Sequence, residues 1–178
     1  MEKRLARINI SSAGGTAGNG AKTYKLTIPS AWIDRLGISE DARSVELTLD
    51  GDRIIVEKLL TLPEFIRRAK EKGHDVRLYL FRDEEMLCSA IAADFSVQAL
   101  QVENFTDNPV KTAFGKNTLP VWADFLAFLE ERCVPRQRAG IREFLEALGL
   151  DSYDPVAIIG KTQGRMAEDR QWIEELKP

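Results

Sequence analysis

The chain has 178 residues, of which 44% are hydrophobic, 30% charged and 8% aromatic, which suits one compact domain or two small ones and excludes disordered and collagen-like chains. No apolar run approaches the roughly 18–20 residues of a membrane span, and MEKRLARINISS lacks the apolar stretch and cleavage site of a signal peptide. Cys88 and Cys133 fit neither a disulfide framework nor a zinc spacing and His74 is the single histidine, so reduced thiols, a cytoplasmic location and no metal, cofactor or catalytic triad are expected.

The net charge of −3 is unevenly spread. Residues 1–28 carry Lys3, Arg4, Arg7, Lys22 and Lys25 against Glu2 alone, a balance of +4, whereas residues 29–58 total −3 and the remainder −4. A basic edge on an acidic protein points to a polyanion partner for one face.

In chain order, Ala6, Ile8 and Ile10 alternate with Leu5, Arg7 and Asn9, a half-buried strand. The stretch SSAGGTAGNGAK has no apolar periodicity and reads as a loop. Tyr24, Leu26 and Ile28 form a second strand, closed by Pro29. With Ser30 as a cap, SAWIDRLG forms a short helix that buries Trp32, Ile33 and Leu36 and stops at Gly37. Val45 to Leu49 and Ile54 to Val56 pair through the Asp50-Gly51-Asp52 turn. Four short strands and a two-turn helix make a poor core, and with no cysteine or metal cluster in the segment, dimerisation is the remaining route to stability. A boundary near Leu59 to Thr61 separates residues 1–58 from residues 59–178.

The second region opens with the helix PEFIRRAKEKG. Strands follow over Val76 to Phe81, Met86 to Ala92 and Val97 to Val102, an antiparallel meander with a turn at Asp83-Glu84-Glu85. After a polar loop from Thr106 to Thr118, helices carry Trp122 to Leu129 and Ile141 to Leu148. A last helix is expected around Glu168 to Leu176, giving an α+β domain of strands followed by helices.

Two near-matches to a phosphate loop lack its chemistry. In Gly15 to Thr23, Ala21 separates Gly20 from Lys22 and a strand follows where a helix must start; in Gly160-Lys161-Thr162, Pro155 replaces the first glycine. The adjacent carboxylates Glu84-Glu85, Glu130-Glu131 and Glu174-Glu175 suit solvated turns and helix faces. His74 reads as an exposed turn residue, and Cys133 as a helix-end thiol facing the core, although Arg132 and Arg136 beside it would favour a thiolate. The strand–loop–strand unit carries more weight. Lys3, Arg7, Lys22 and Lys25 flank a loop supplied with Ser11, Ser12, Thr16 and Asn19, donors suited to phosphates, and paired strands can enter a major groove.

Tyr24-Lys25-Leu26-Thr27-Ile28-Pro29, then Trp32 and Leu36-Gly37-Ile38, then Val45-Glu46-Leu47 and Asp50-Gly51-Asp52-Arg53-Ile54-Ile55-Val56 resemble the AbrB/MazE/SpoVT family of DNA-binding domains. The resemblance covers about residues 3–58. It implies a mainly β, swapped-hairpin barrel shared by two chains, in bacterial transcription regulators and the antitoxins of toxin–antitoxin operons. It also implies double-stranded DNA contacts from Arg4, Arg7, Lys22 and Lys25, with Ser12 and Asn19 beside them. The longer SSAGGTAGNGAK departs from the family's compact Gly-x-Ser-type turn. Residues 128–138 and 164–173 loosely resemble small proteins associated with HipA-type kinase genes, which implies a toxin or kinase-like partner protein. Arg132, Arg136 and Arg138, with Arg142, form a cationic cluster that such a partner or a phosphate could meet.

The leading expectation is a homodimeric, cytoplasmic DNA-binding regulator whose second domain senses or binds a partner. The alternatives are a protein-interaction module that dimerises without binding DNA and, last, an enzyme acting through Cys133 or the arginines.

Overall fold

A computed structural model describes residues 2–13 and 20–177. The chain divides into two compact units, Met1–Leu59 and Leu60–Pro178. Among the described residues there are eight strands in small antiparallel sheets and five helices, and no sheet closes into a barrel. No helix among them is long and apolar enough to cross a membrane.

In the first unit, β1 (Ile8–Ser12) pairs with β2 (Lys22–Leu26), from Ile8 opposite Leu26 to Ser12 opposite Lys22. Both strands lie about two residues closer to the connecting loop than apolar alternation suggests, because the ladder continues through the serines. Helix α1 (Ser30–Leu36) starts after Pro29, so Ser30 is its first residue and caps nothing. Its stop follows expectation: Gly37 has φ 68° and donates to Asp34 O, a left-handed conformation that costs glycine little. β3 (Val45–Asp50) and β4 (Arg53–Lys58) form a second hairpin. Its two central residues are Gly51 and Asp52, and only Gly51 has positive φ, the type II′ pattern that matches strand twist.

Both hairpins are amphipathic and neither apolar face is covered within the unit. Ile8, Ile10, Tyr24 and Leu26 share one face of the first; Val45, Leu47, Leu49, Ile54 and Val56 share one face of the second. Tyr24 is 63% exposed, Leu49 75% and Ile54 72%, and no described residue of the unit is buried. Ordering a residue costs about 1–2 kcal/mol of backbone entropy, which burial must offset. Among its described residues this unit has no interior to supply it.

The second unit does. Helix α2 (Leu62–Glu71) begins at a reciprocal cap, with Thr61 Oγ1 accepting from Glu64 N–H and Glu64 Oε2 accepting from Thr61 N–H. β5 (Val76–Asp83), β6 (Met86–Asp94), β7 (Ala99–Asn104) and β8 (Gln171–Leu176) form one antiparallel sheet in the order β7-β6-β5-β8. Tyr79, Phe81, Ile91, Ala93 and Ile173 alternate onto one face. They meet Phe125, Phe128 and Leu129 of α3 (Trp122–Glu131) and Ile158 and Ile159 of α5 (Pro155–Thr162). Each large apolar side chain buried here contributes about 1.5–3 kcal/mol. Helix α4 (Ile141–Leu148) lays Phe144, Leu145 and Leu148 against the same core. Buried Ala90 and Ala92 alternate to the opposite face, where α2 brings Ala69 to the sheet.

The expected last helix is the strand β8. Trp172, Ile173 and Leu176 fit a helical spacing, but only Ile173 enters the core, and Glu174 and Glu175 face the β5 arginines Arg82 and Arg77 at 3.3 and 3.4 Å. The last helix is instead α5, in the segment that nearly matches a phosphate loop. Asp154 accepts from Val156 N–H and Pro155 occupies the first turn, so Gly160-Lys161-Thr162 close a helix and cannot cradle a phosphate at its start.

Candidate nucleic-acid interface

The register of β1 and β2 separates their side chains by chemistry. Residues directly opposite in an antiparallel ladder share a face. One face therefore carries Ile8, Ile10, Tyr24 and Leu26, and the other Asn9, Ser11, Thr23 and Lys25. Arg7 precedes β1 at the alternation of Asn9 and Ser11. The polar face thus presents a lysine, two hydroxyls and an amide on regular backbone, all suited to phosphate oxygens.

Of the expected contact residues, Lys25 stands on this face and Arg7 at its end. Ser12 and Lys22 pair with each other at the loop end, at the alternation of the apolar face. Arg4 lies in the segment before β1, where Glu2, Lys3, Arg4, Leu5 and Trp32 line a shallow hollow. Glu2 fastens that segment to α1, accepting from Trp32 Nε1 and Arg35 Nη1, each at 2.8 Å. Asn19 and Thr16 lie outside the described residues. Asn9 and Thr23 escape a reading by residue type; knowing which residue faces which would have found them.

Among the described residues, none of Lys3, Arg4, Arg7, Lys22 and Lys25 has an ion-pair partner. The second unit treats its cations differently. Arg67 pairs with Glu71, Arg77 with Asp75 and Glu175, Lys111 with Asp83, and Arg170 with Glu84. About half of the second unit's cations are paired in this way, whereas none of the five on or beside the first hairpin is paired among the described residues.

The expected cationic cluster of the second unit is not one patch. Arg132 is buried, with its guanidinium committed to Asp169, Gly164 O and Gln171 O. Arg136 lies 4.5 Å over the Tyr153 ring and 3.7 Å from Glu130, Arg142 pairs with Glu146, and Arg138 is exposed. Cys133 faces the core as expected, and burial pushes its thiol up to about 12. The neighbouring arginines therefore do not make it a thiolate nucleophile. His74 is not the exposed turn residue expected: its Nδ1 lies 2.7 Å from Oδ2 of buried Asp94, tying the end of α2 to β6.

Compared with known proteins, the chain matches no family model, no curated protein and no solved structure.

Proposed function

We propose that the protein is a DNA-binding transcription regulator that acts as a homodimer, its first unit completed by a second copy and its second unit serving to sense or bind a partner. The observation that carries this reading is the division of the β1–β2 hairpin into an uncovered apolar face and a polar face with unpaired cations. A second copy placed on the apolar faces of both hairpins would supply the missing interior, as in the swapped-hairpin barrel of the family the segment resembles. The two polar faces would then present twice the charge along one surface. Phosphate neutralisation would supply most of the affinity and make it steeply salt-dependent. An antitoxin role, with a toxin or kinase-like protein on the second unit, belongs to the same proposal.

Gel retardation of a random duplex and of the gene's own upstream region, at low and moderate salt, tests it. The full chain is expected to retard both at low salt. The joint Arg7→Ala, Lys25→Ala variant is expected to bind more weakly on every sequence, its salt slope reduced by roughly 0.9 for each phosphate it no longer neutralises. An intact dimer that retards neither duplex would leave an interaction module without DNA binding as the better reading.

A further inference from the structure

Residues 105–121 join β7 to α3 without a helix or strand of their own. A connection of that length in a compact domain usually serves a function or is disordered. This one is fastened. Ser89 is fully buried, and its Oγ donates to Asn104 Oδ1 at 2.7 Å and accepts from Ala113 N–H at 3.1 Å. Thr112 Oγ1 lies 3.2 Å from Pro109 O and 3.0 Å from Gly115 O, and Lys111 pairs with Asp83. Burying a hydroxyl is costly unless it is hydrogen-bonded, and here the bonds hold the connection in place.

What they hold is one wall of a cleft of about 530 Å³. The opposite wall is a single stripe of α3, where Asp124, Ala127, Phe128 and Glu131 recur at helical spacing. The floor is aromatic: the Phe128 ring lies 5.2 Å from Phe81, edge to face, and 5.5 Å from Phe114. Asp124 accepts from Val121 N–H and Asn117 Nδ2 through Oδ2 alone. Glu131 has no ion pair or hydrogen bond among the described residues. Arg132, also in the lining, brings no net charge because Asp169 neutralises it. Two carboxylates without a countercharge thus line, with aromatic rings, a cleft of ordinary ligand size. Anions are repelled there. A cation with an apolar stem gains the carboxylates for its head and the apolar lining for its stem.

We infer that this cleft binds an ammonium or guanidinium group carried on an aliphatic stem. The same chemistry belongs to a free alkylamine and to a lysine or arginine side chain of a polypeptide. The inference rests on the sensing role given to the second unit and does not depend on DNA binding.

The full chain, titrated with n-butylammonium, n-butyrate and n-butanol and followed by amide NMR, tests it. Butylammonium is expected to move the amides of Gly115, Ala127 and Glu131 saturably, and butyrate and butanol to leave them in place. Glu131→Gln removes a carboxylate that supports no fold contact, and is expected to weaken butylammonium about threefold with the rest of the spectrum unchanged. Acetyl-Gly-Lys-Gly-amide forms a second arm: tighter binding than butylammonium assigns the cation to a polypeptide, and equal or weaker binding to a free amine. The inference is overturned by an equal response to butanol, by a preference for butyrate, by no saturable shift with either cation, or by a Glu131→Gln chain that binds as tightly as the parent. Gel retardation measured on the same preparations reports separately on the regulator reading.

Discussion

Arg132 and Asp169, 37 residues apart, meet through two hydrogen bonds, Nη1 to Oδ2 at 2.5 Å and Nη2 to Oδ1 at 2.9 Å. Arg132 also donates to Gly164 O at 3.0 Å and Gln171 O at 2.7 Å, so one buried cation ties the end of α3 to the turn after α5 and the start of β8. Truncating Asp169 to alanine leaves that guanidinium buried without a countercharge. The expected loss is about 3–5 kcal/mol in urea unfolding. Arg132→Met should cost less, because the carboxylate left behind is a third exposed and can rehydrate while an apolar chain fills the buried site. Equal losses would show that the charge is not what matters.

The same pair sets a pH dependence. The hydrogen bonds from Arg132 hold the Asp169 carboxyl below its ordinary range, with the Gln171 N–H adding to the effect against the opposing pull of burial. A carboxyl lowered by folding contributes its stability in full above its unfolded value and loses it as the pH falls through the folded one. The window therefore lies below about pH 4. Across that range the parent chain should lose stability more steeply than Asp169→Asn, which has no proton to gain. Parallel curves for the two chains would remove Asp169 from the acid transition.

Gly164 stands where no side chain fits. Its φ is +59°, and an added Cβ would lie 2.9 Å from Ile159 Cδ1 and 3.0 Å from Arg132 Cβ, both in the buried interior. Gly164→Ala combines left-handed backbone strain with overpacking, an expected cost of about 2–4 kcal/mol. Gly149 also has positive φ, but a Cβ there meets nothing within 4 Å. Gly149→Ala should therefore cost only the backbone strain, and thermal melts of the two variants separate packing from conformation.

The two faces of the β1–β2 hairpin should respond differently to one charge. Ile10→Glu places a carboxylate on the uncovered apolar face opposite Tyr24, and Ser11→Glu places it on the polar face opposite Thr23. The first is expected to abolish the dimer in light scattering, and DNA retardation with it. The second should leave the dimer intact and weaken retardation by setting a negative charge among the cations. If both variants keep the dimer, the apolar face is not the interface.

Local signals carry most of the elements in this chain. Gly37, the Gly51-Asp52 turn and the run before α2 each fix a backbone conformation within a few residues, and expectation and structure agree there. Tertiary partners decide the rest. Gln171 to Leu176 satisfies a helical spacing as well as an alternating one. Only the proximity of β5, whose Arg77 and Arg82 reach the two glutamates from two positions along the ladder, makes it a strand, and those partners lie 98 and 92 residues away. Asp154-Pro155 does announce α5 locally, through a cap and a first-turn proline. Arg132 and Arg136 look alike in sequence because the Asp169 that buries one of them is remote. The candidate interface divides the same way: its cations are legible by residue type, but Asn9 and Thr23 join them only through the pairing register.

The two cysteines offer a clock for opening of the second unit. Burial raises both thiols, Cys133 to about 12 with the carboxylates of Glu130 and Asp154 adding to the effect. At pH 8 the Cys133 thiol therefore stays protonated in the folded chain. Cys88 is fully buried, and the Cys133 Sγ is held 3.1 Å from Leu129 O, so neither offers an alkylating reagent a path. Iodoacetamide should modify both thiols only through opening of the fold, at a rate set by the population of open molecules. Asp169→Ala, by destabilising the end of α3 that carries Cys133, is expected to speed labelling of that residue in proportion to the stability it removes. Stoichiometric labelling of the parent chain within minutes, independent of urea, would mean that Cys133 reaches solvent without opening and that the helix end is looser than its hydrogen bonds indicate.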